Sequence, residues 1–315
     1  MERNLRPELL AAGAVGVARA AELLRGGGLV AVPTETVYGL MARADRDASV
    51  AAIYRAKGRP SFNPLIVHVA DLAAAHRLAV LDARAEKLAA AFWPGALTLV
   101  LPLREGAEVA PAVTAGLPTV ALRCPAHPLM RAVLAESGLP LAGPSANRSG
   151  GVSPTRAEHV VASLGANVDA VLDGGACEAG VESTIIALRD DGRWQVLRPG
   201  PIPQEAIRAI LGTECDAVTS QEIEAPGQLA SHYAPGKPVR LNAETAAEDE
   251  FHIGFGNVAG EASLSASGDV IEAASRLYAL LHEGAAASQP RIAVAPIPQD
   301  GVGAAINDRL SRAAA

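Results

Sequence analysis

Three segments of the chain put chemistry-bearing side chains directly after apolar runs. The first, Pro33-Thr34-Glu35-Thr36-Val37-Tyr38-Gly39-Leu40, follows Leu29–Val32 and sets two threonines, a carboxylate and a phenol beside a predicted strand end. Strand ends are where α/β sheets hold ligands, although a turn capping the next helix would use the same residues. In the second, Arg55, Lys57 and Arg59 put three cations within five residues with no acid among them, and Asn63 and His68 follow. Arginine offers a planar fork and lysine a point charge, a pairing suited to triphosphate oxygens. Cations complementing a helix C-terminus account for one or two of the three. The third, Gly143-Pro144-Ser145-Ala146-Asn147-Arg148-Ser149-Gly150-Gly151 with Ser153-Pro154-Thr155 beyond it, follows the apolar Leu139–Ala142. Small hydroxyls, an amide and glycines let a backbone come close to an anion; a long polar turn has the same composition.

Two more segments stand out. Gly180-Val181-Glu182-Ser183-Thr184 leads into Ile185-Ile186, with Arg198-Pro199-Gly200 after the next apolar run. Ser231-His232-Tyr233-Ala234-Pro235 places an aromatic pair in an otherwise bland connector. A connector needs no aromatics, so this one is expected to dock. Other chemistries lack their signatures. There is no GxxxxGK[ST], no HExxH and no GxSxG, and Gly254–Gly260 misses the GxGxxG spacing. The three cysteines, Cys124, Cys177 and Cys215, are isolated in sequence and read as reduced thiols.

The elements that must position these side chains can be read from periodicity. Strands are predicted at Leu29–Val32, Leu65–Val69, Leu97–Leu101, Thr119–Arg123, Ala170–Leu172, Thr184–Leu188 and Trp194–Leu197. Helices are predicted over 14–25, 48–56, 83–91, 127–136, 156–164 and 203–211. Beyond a Pro/Gly-punctuated stretch at 213–238 come Phe251–Phe255 and Ile292–Pro296 as strands and 269–283 and 301–313 as helices. Charge divides at the same place. Residues 1–212 carry 21 basic and 20 acidic side chains, whereas 213–315 carry 6 and 14. The expected domains are therefore 1–212 and 239–315, joined by a linker at 213–238. A 315-residue chain with 50% hydrophobic and 19% charged residues is globular. Its 3% aromatic content predicts an aliphatic core and argues against a base-stacking surface. A net charge of −7 argues against broad nucleic-acid binding. No apolar run reaches the ~18 residues of a membrane helix, and the first residues lack a signal-peptide h-region, so a soluble cytoplasmic protein with no membrane partner is expected.

Taken together, the segments resemble the Sua5/YrdC/TsaC family of threonylcarbamoyl-AMP synthases. The matching stretches are PTETVYGL at 33–40, KGRP with NPL and His68 at 57–68, FWPGALTLVL at 92–101 and TVALRCPAHP at 119–128. GPSANRSGGVSPT at 143–155, GVESTII at 180–186 and LRPG at 197–200 continue the series. SHYAP at 231–235 and Ala305-Ile306-Asn307-Asp308-Arg309-Leu310 resemble the longer, two-domain Sua5 branch. The resemblance implies an α/β fold: a YrdC-like twisted mixed sheet with flanking helices, plus a small C-terminal α/β (Rossmann-like) Sua5 domain. It also implies a nucleotidyltransferase reaction in which L-threonine, bicarbonate or CO2 and ATP give threonylcarbamoyl-AMP and pyrophosphate. That is the first step of N6-threonylcarbamoyladenosine formation at position 37 of tRNAs reading ANN codons. Mg2+ would accompany ATP, and the downstream partners would be threonylcarbamoyl-transferase proteins and tRNA.

By the same resemblance, Thr36, His68, Arg123, the Gly143 backbone and Ser183 would hold L-threonine. Lys57, Arg59, Asn63, Thr119, Ser145, Asn147, Ser153, Arg198 and Tyr233 would hold ATP, with Lys57 and Arg59 catalytic. Glu35 and Glu182 are left without a metal role, and the metal ligands are unassigned. Gly143 departs from the family pattern, which has Ala or another small residue there. Two other functions fit parts of this reading: a non-catalytic RNA-binding or ribosome-maturation module, and a carbamoyltransferase acting on another amine. If the cation-rich turn stabilises transferring charge, Lys57→Ala or Arg59→Ala lowers turnover by at least ~10²-fold. Near-wild-type rates in both variants would remove that turn from the site.

Overall fold

The computed structural model describes residues 6–189, 191–212, 223–228 and 232–315. Cys215, Ser231 and most of the 213–231 stretch lie outside the described residues. In the first part the elements run β1 (Glu8–Ala11), α1 (Ala14–Arg25), β2 (Val30–Val32), β3 (Gly39–Arg43), α2 (Asp47–Lys57), β4 (Ile66–His68), α3 (Leu72–Leu78) and α4 (Ala83–Phe92). They continue with β5 (Leu97–Pro102), α5 (Pro111–Thr114), β6 (Thr119–Arg123), α6 (Pro128–Ser137), β7 (Leu141–Ala142), α7 (Ala157–Leu164), β8 (Ala170–Asp173), β9 (Thr184–Leu188), β10 (Trp194–Arg198) and α8 (Gln204–Leu211). The last part holds β11 (Val239–Arg240), β12 (Glu250–Gly254), β13 (Ala262–Ser263), α9 (Val270–Ala286), β14 (Arg291–Val294) and α10 (Val302–Ala313).

The first eighteen elements build a mixed ten-stranded sheet in the order β1-β8-β2-β3-β7-β4-β6-β5-β9-β10. Its β1-β8-β2 edge is parallel, β2-β3-β7-β4 is antiparallel, and the pairings alternate from β4 to β10. β4 pairs parallel with β6 and β5 with β9, whereas β2 with β3, β4 with β7 and β5 with β6 are antiparallel. The last part is a four-stranded parallel sheet, β11-β14-β12-β13, with α9 and α10 beside it. This is the α/β architecture anticipated from periodicity. The main core is aliphatic, built from residues such as Leu40, Val67, Leu99, Leu122 and Ile186, with Tyr38 and Trp194 its large aromatics. Each such side chain taken from water contributes about 1.5–3 kcal/mol.

Periodicity missed β1 and β3 of the large sheet and the two-residue β11 and β13 of the small one. β1 and β3 read Glu-Leu-Leu-Ala and Gly-Leu-Met-Ala-Arg; both are rich in helix formers and lack β-branched residues. Pairing decides them: Val32 faces Gly39 across an antiparallel ladder, and Glu8 to Ala11 run beside Ala170 to Asp173. The segment 33–38 is therefore a strand-to-strand loop, and no helix follows it directly. At the end of α2, Gly58 takes the left-handed conformation (φ 60°) and its amide returns to the last turn. An L side chain is disfavoured there, and the reversal lets Lys57 and Arg59 leave the helix end in different directions.

Candidate functional site

The segments singled out in the sequence converge on one cavity. Eight predicted residues line it: Thr36, Arg59, His68, Arg123, Gly143, Ser145, Arg198 and Tyr233. Five more stand one contact behind the wall. Lys57 donates to the carbonyls of Ser145, at 2.6 Å, and Asn147. Arg59 donates to the carbonyls of Asn63 and Pro64. Ser153 donates to Glu182 at 2.5 Å, and Ser183 accepts from Arg198 at 3.0 Å. Thr119 stands apart: it begins β6, at the opposite end from Arg123, and does not line this cavity. A second groove runs past Asp45, Arg77 and Arg104 and holds none of the predicted residues.

On one side of the cavity, His68 and Arg123 are register partners at the ends of β4 and β6. Arg123 is buried and already donates three hydrogen bonds, to the Gly95 carbonyl, to Thr36 Oγ1 at 2.9 Å and to Glu35 Oε1 at 2.6 Å. A guanidinium has five N–H groups, so two remain for a ligand. Glu35 also accepts from the Ala126 amide. Burial alone would raise its pKa, but the Arg123 charge and these hydrogen bonds hold it below the usual carboxylate range. Burial, and then the Arg123 charge, push His68 down to about 3. His68 is therefore neutral near pH 7 and too weak a base to retain a proton from an ammonium group. Its Nδ1 is buried without a hydrogen-bond partner.

On the other side, Lys57, Arg59 and Arg198 are each buried, and among the described residues none of them forms an ion pair. Backbone carbonyls solvate them instead. Arg198 donates to the Ser183 carbonyl at 3.0 Å and to the Pro226 carbonyl at 3.4 Å. Burial, and then the neighbouring Arg59 charge, lower the Lys57 ammonium well below its ordinary value. Burial likewise lowers Arg59 to about 10. The Oδ1 atoms of Asn63 and Asn147 are buried and unpartnered. Tyr233 and His232 close the cavity, with Tyr233 in the left-handed region at φ 65°. For a bulky side chain that backbone costs about 1–3 kcal/mol and must be held by its surroundings.

Residue-type reasoning left several residues without a role. Glu35 and Glu182 are not spare acids: the first anchors Arg123, and the second ties three elements together. Thr98 fixes Ser183 through a 2.7 Å hydroxyl contact. Two buried residues of the last domain, Tyr278 and Arg309, reach the site through Glu182, at 2.8 Å each. Arg309 stood in a matching stretch near the chain end, but no spacing rule connects residues 127 positions apart.

The Gly143 departure has a local cause. A Cβ built there meets Met41 Sδ at 2.2 Å and Met41 Cε at 2.9 Å. Met41 thus fills the volume a side chain at 143 would take, behind a wall that also carries His68. We expect Gly143→Ala to cost about 1–2 kcal/mol through overpacking and much less in a Met41→Ala background, as read by denaturant unfolding. An equal cost in both backgrounds would show that Met41 is not the cause.

Comparison with known proteins covers both parts of the chain. The Sua5/YciO/YrdC family model, described as "Telomere recombination", matches residues 22–200, and the threonylcarbamoyl-AMP synthase C-terminal-domain model matches 202–315. The threonylcarbamoyl-AMP synthase of Bacillus subtilis is 49% identical over 230 residues, which is 71% of this chain and 66% of the relative. That of Pyrococcus abyssi is 45% identical over 229 residues, 70% of this chain and 66% of the relative. The crystal structure of P. abyssi Sua5 complexed with L-threonine superposes with a TM-score of 0.87 at 35% identity, covering 98% of this chain and 97% of that one. Escherichia coli YciO, at 22% identity and a TM-score of 0.54 over 62% of this chain, shares the fold of the first domain. With one family model on the large sheet and a second on the small one, the chain belongs to the Sua5/YciO/YrdC family, in its two-domain form.

Proposed function

We propose that the protein is an L-threonylcarbamoyladenylate synthase. The observation that carries this reading is one cavity that joins two unlike halves. One half is a triad of buried cations that have no carboxylate partner among the described residues, Lys57, Arg59 and Arg198. The other is an arginine with free N–H groups flanked by a threonine hydroxyl and a neutral imidazole, Arg123 with Thr36 and His68. A triphosphate suits the first half and an α-amino acid the second. The relatives named above carry the same activity in their names, and one was solved with L-threonine.

The chemistry asks for positioning and charge stabilisation rather than an activated side-chain nucleophile. The threonine amine and bicarbonate form a carbamate with loss of water. A carbamate oxygen then attacks the α-phosphorus, and the bond to the bridging oxygen of the β-phosphate breaks, releasing pyrophosphate. Arg123 and Thr36 orient the threonine carboxylate. Lys57, Arg59 and Arg198 neutralise charge on the phosphates, and Ser145 lines their path, with Asn147 and Ser153 just behind it. His68 stays neutral and places its ring beside the amine. The ammonium nitrogen loses two protons on becoming a carbamate: one leaves in the water formed from the bicarbonate hydroxyl and the other departs with pyrophosphate, because His68 is too weak a base to keep it.

Mg2+ enters as part of the nucleotide substrate. Among the described residues there is no group of three His, Cys, Asp or Glu side chains that could hold a metal. The carboxylates nearest the cavity are already engaged, Glu182 by Ser153, Tyr278 and Arg309 and Glu35 by Arg123. Such a site fits an ion held mainly by phosphate oxygens and water. The product would pass to the transferase proteins that modify tRNA. Among the described residues no helix is long and apolar enough to cross a membrane, in keeping with such a role in the cytoplasm. A purely RNA-binding module fits less well, because its cations would have to reach a phosphate backbone, and here they are buried.

The test is pyrophosphate release from ATP, Mg2+ and bicarbonate, with and without L-threonine. The proposal predicts release that needs both threonine and bicarbonate. Release with carbamoyl phosphate in place of bicarbonate would point to a carbamoyltransferase. No threonine-dependent release from folded protein would overturn the reading.

A further inference from the structure

Beside the cavity, the last domain meets the first in a buried cluster centred on Glu182. Its Oε1 accepts from Ser153 at 2.5 Å, and its Oε2 accepts from Tyr278 of α9 and from Arg309 of α10, at 2.8 Å each. Burial alone would raise the Glu182 pKa, but the Arg309 and Arg198 charges and these hydrogen bonds hold it down at about 2. Helix α9 comes this close because Gly180 has no side chain: a Cβ there would lie 2.4 Å from the Ala274 carbonyl. Tyr278 is one helical turn beyond Ala274, which brings its hydroxyl to the carboxylate.

Arg309 then meets Tyr233. Its guanidinium lies 5.4 Å from the Tyr233 ring centroid, and its Nη2 is buried without a hydrogen-bond partner. Tyr278 stacks on the same ring, with centroids 5.6 Å apart and planes at 28°. Two backbone bonds fix the flanks of Tyr233. The His232 amide donates to the Arg312 carbonyl at 3.1 Å, and the Ala234 amide donates to the Gly150 carbonyl at 2.8 Å. The left-handed backbone at Tyr233 is thus gripped by α9 and α10 from one domain and by the 143–151 turn from the other.

We infer that Arg309 is a positioning residue: held by Glu182 and Asp308, it seats Tyr233 over the cavity, so that the C-terminal domain completes the site by clamping the strap at 232–234. The role attributed to the cavity rests on the function proposed above; the clamp does not. Stability alone is a weak reason to bury this guanidinium, because a buried ion pair rarely outperforms apolar packing of the same volume. A desolvated cation against an aromatic face does provide a directional contact, and here that contact is with the residue in the strained conformation.

The test combines hydrogen exchange with steady-state kinetics on the full chain. In Arg309→Met, the Ala234 amide should exchange at least about tenfold faster while the Leu99 amide of the central sheet keeps its wild-type rate. The KM for ATP should rise about tenfold, with a smaller change in kcat, and Arg309→Lys should recover part of the loss. In a Tyr233→Ala background the Arg309→Met change should add no more than about twofold, because nothing is left to seat. Unchanged Ala234 protection in folded Arg309→Met, or the same KM penalty with and without the Tyr233 side chain, would overturn the inference. If Arg309→Met does not fold, Tyr278→Phe removes a single hydroxyl from the cluster and is read in the same way, with about threefold effects. If the wild-type protein releases no threonine-dependent pyrophosphate, the proposed function fails, and the exchange data still decide the clamp.

Discussion

The constraint on which the rest of the structure depends is the burial of more positive than negative charge around one cavity. Lys57, Arg59, Arg123, Arg198 and Arg309 are all buried, and among the described residues the carboxylates that pair directly with any of them are Glu35, Glu182 and Asp308. A buried cation without a partner costs several kcal/mol unless something polar replaces its water. Here backbone carbonyls do so, from Gly95, Asn63, Pro64, Ser145, Asn147, Ser183 and Pro226. Carbonyls with free lone pairs come from irregular chain, which is why the cavity is walled by loops and strand ends rather than by the faces of helices. It is also why these loops are ordered: each is tied to a cation it must solvate.

The fold meets this demand by its strand order. The parallel pair β4 and β6 delivers His68 and Arg123 as neighbours, and the antiparallel pair β9 and β10 brings Ser183 and Arg198 together. The short loop between β2 and β3 lays Thr34, Glu35 and Thr36 against Arg123. The turn after α2 and the 143–151 turn meet through Lys57. The small sheet adds no cation to the cavity wall; its contribution is the clamp on Tyr233 through Arg309, Tyr278 and the Arg312 carbonyl. Carbonyls satisfy N–H groups without neutralising charge, so the cavity keeps an unspent positive potential. That potential is what a triphosphate would use.

Much of this was legible in the chain itself. Lys57, Arg59, Arg123, Ser145 and Arg198 follow apolar runs or helix ends, and such positions converge in α/β sheets. The aromatic pair His232-Tyr233 announced docking because a connector has no use for it. The illegible parts have physical reasons. Gly39 to Arg43 is a strand only because Val30 to Val32 pair with it; its own propensities point to helix. Glu182 looks like a loop acid until Ser153, Tyr278 and Arg309 close around it across long stretches of chain. Gly143 looked like a defect in the motif, and Met41 explains it, yet nothing in the sequence links positions 41 and 143. Thr119 shared a motif with Arg123, but strand direction carries the two to opposite ends of β6.

If the cavity holds uncompensated positive charge, with the Lys57 pKa lowered by burial and by Arg59, a bound polyanion should push that pKa back up. The most direct measurement is calorimetric titration of MgATP over a series of pH values, at each in two buffers of different ionisation enthalpy, which reports protons exchanged on binding. The account predicts net proton uptake that is lost in Lys57→Met. Binding without proton uptake, or uptake unchanged in Lys57→Met, would contradict it.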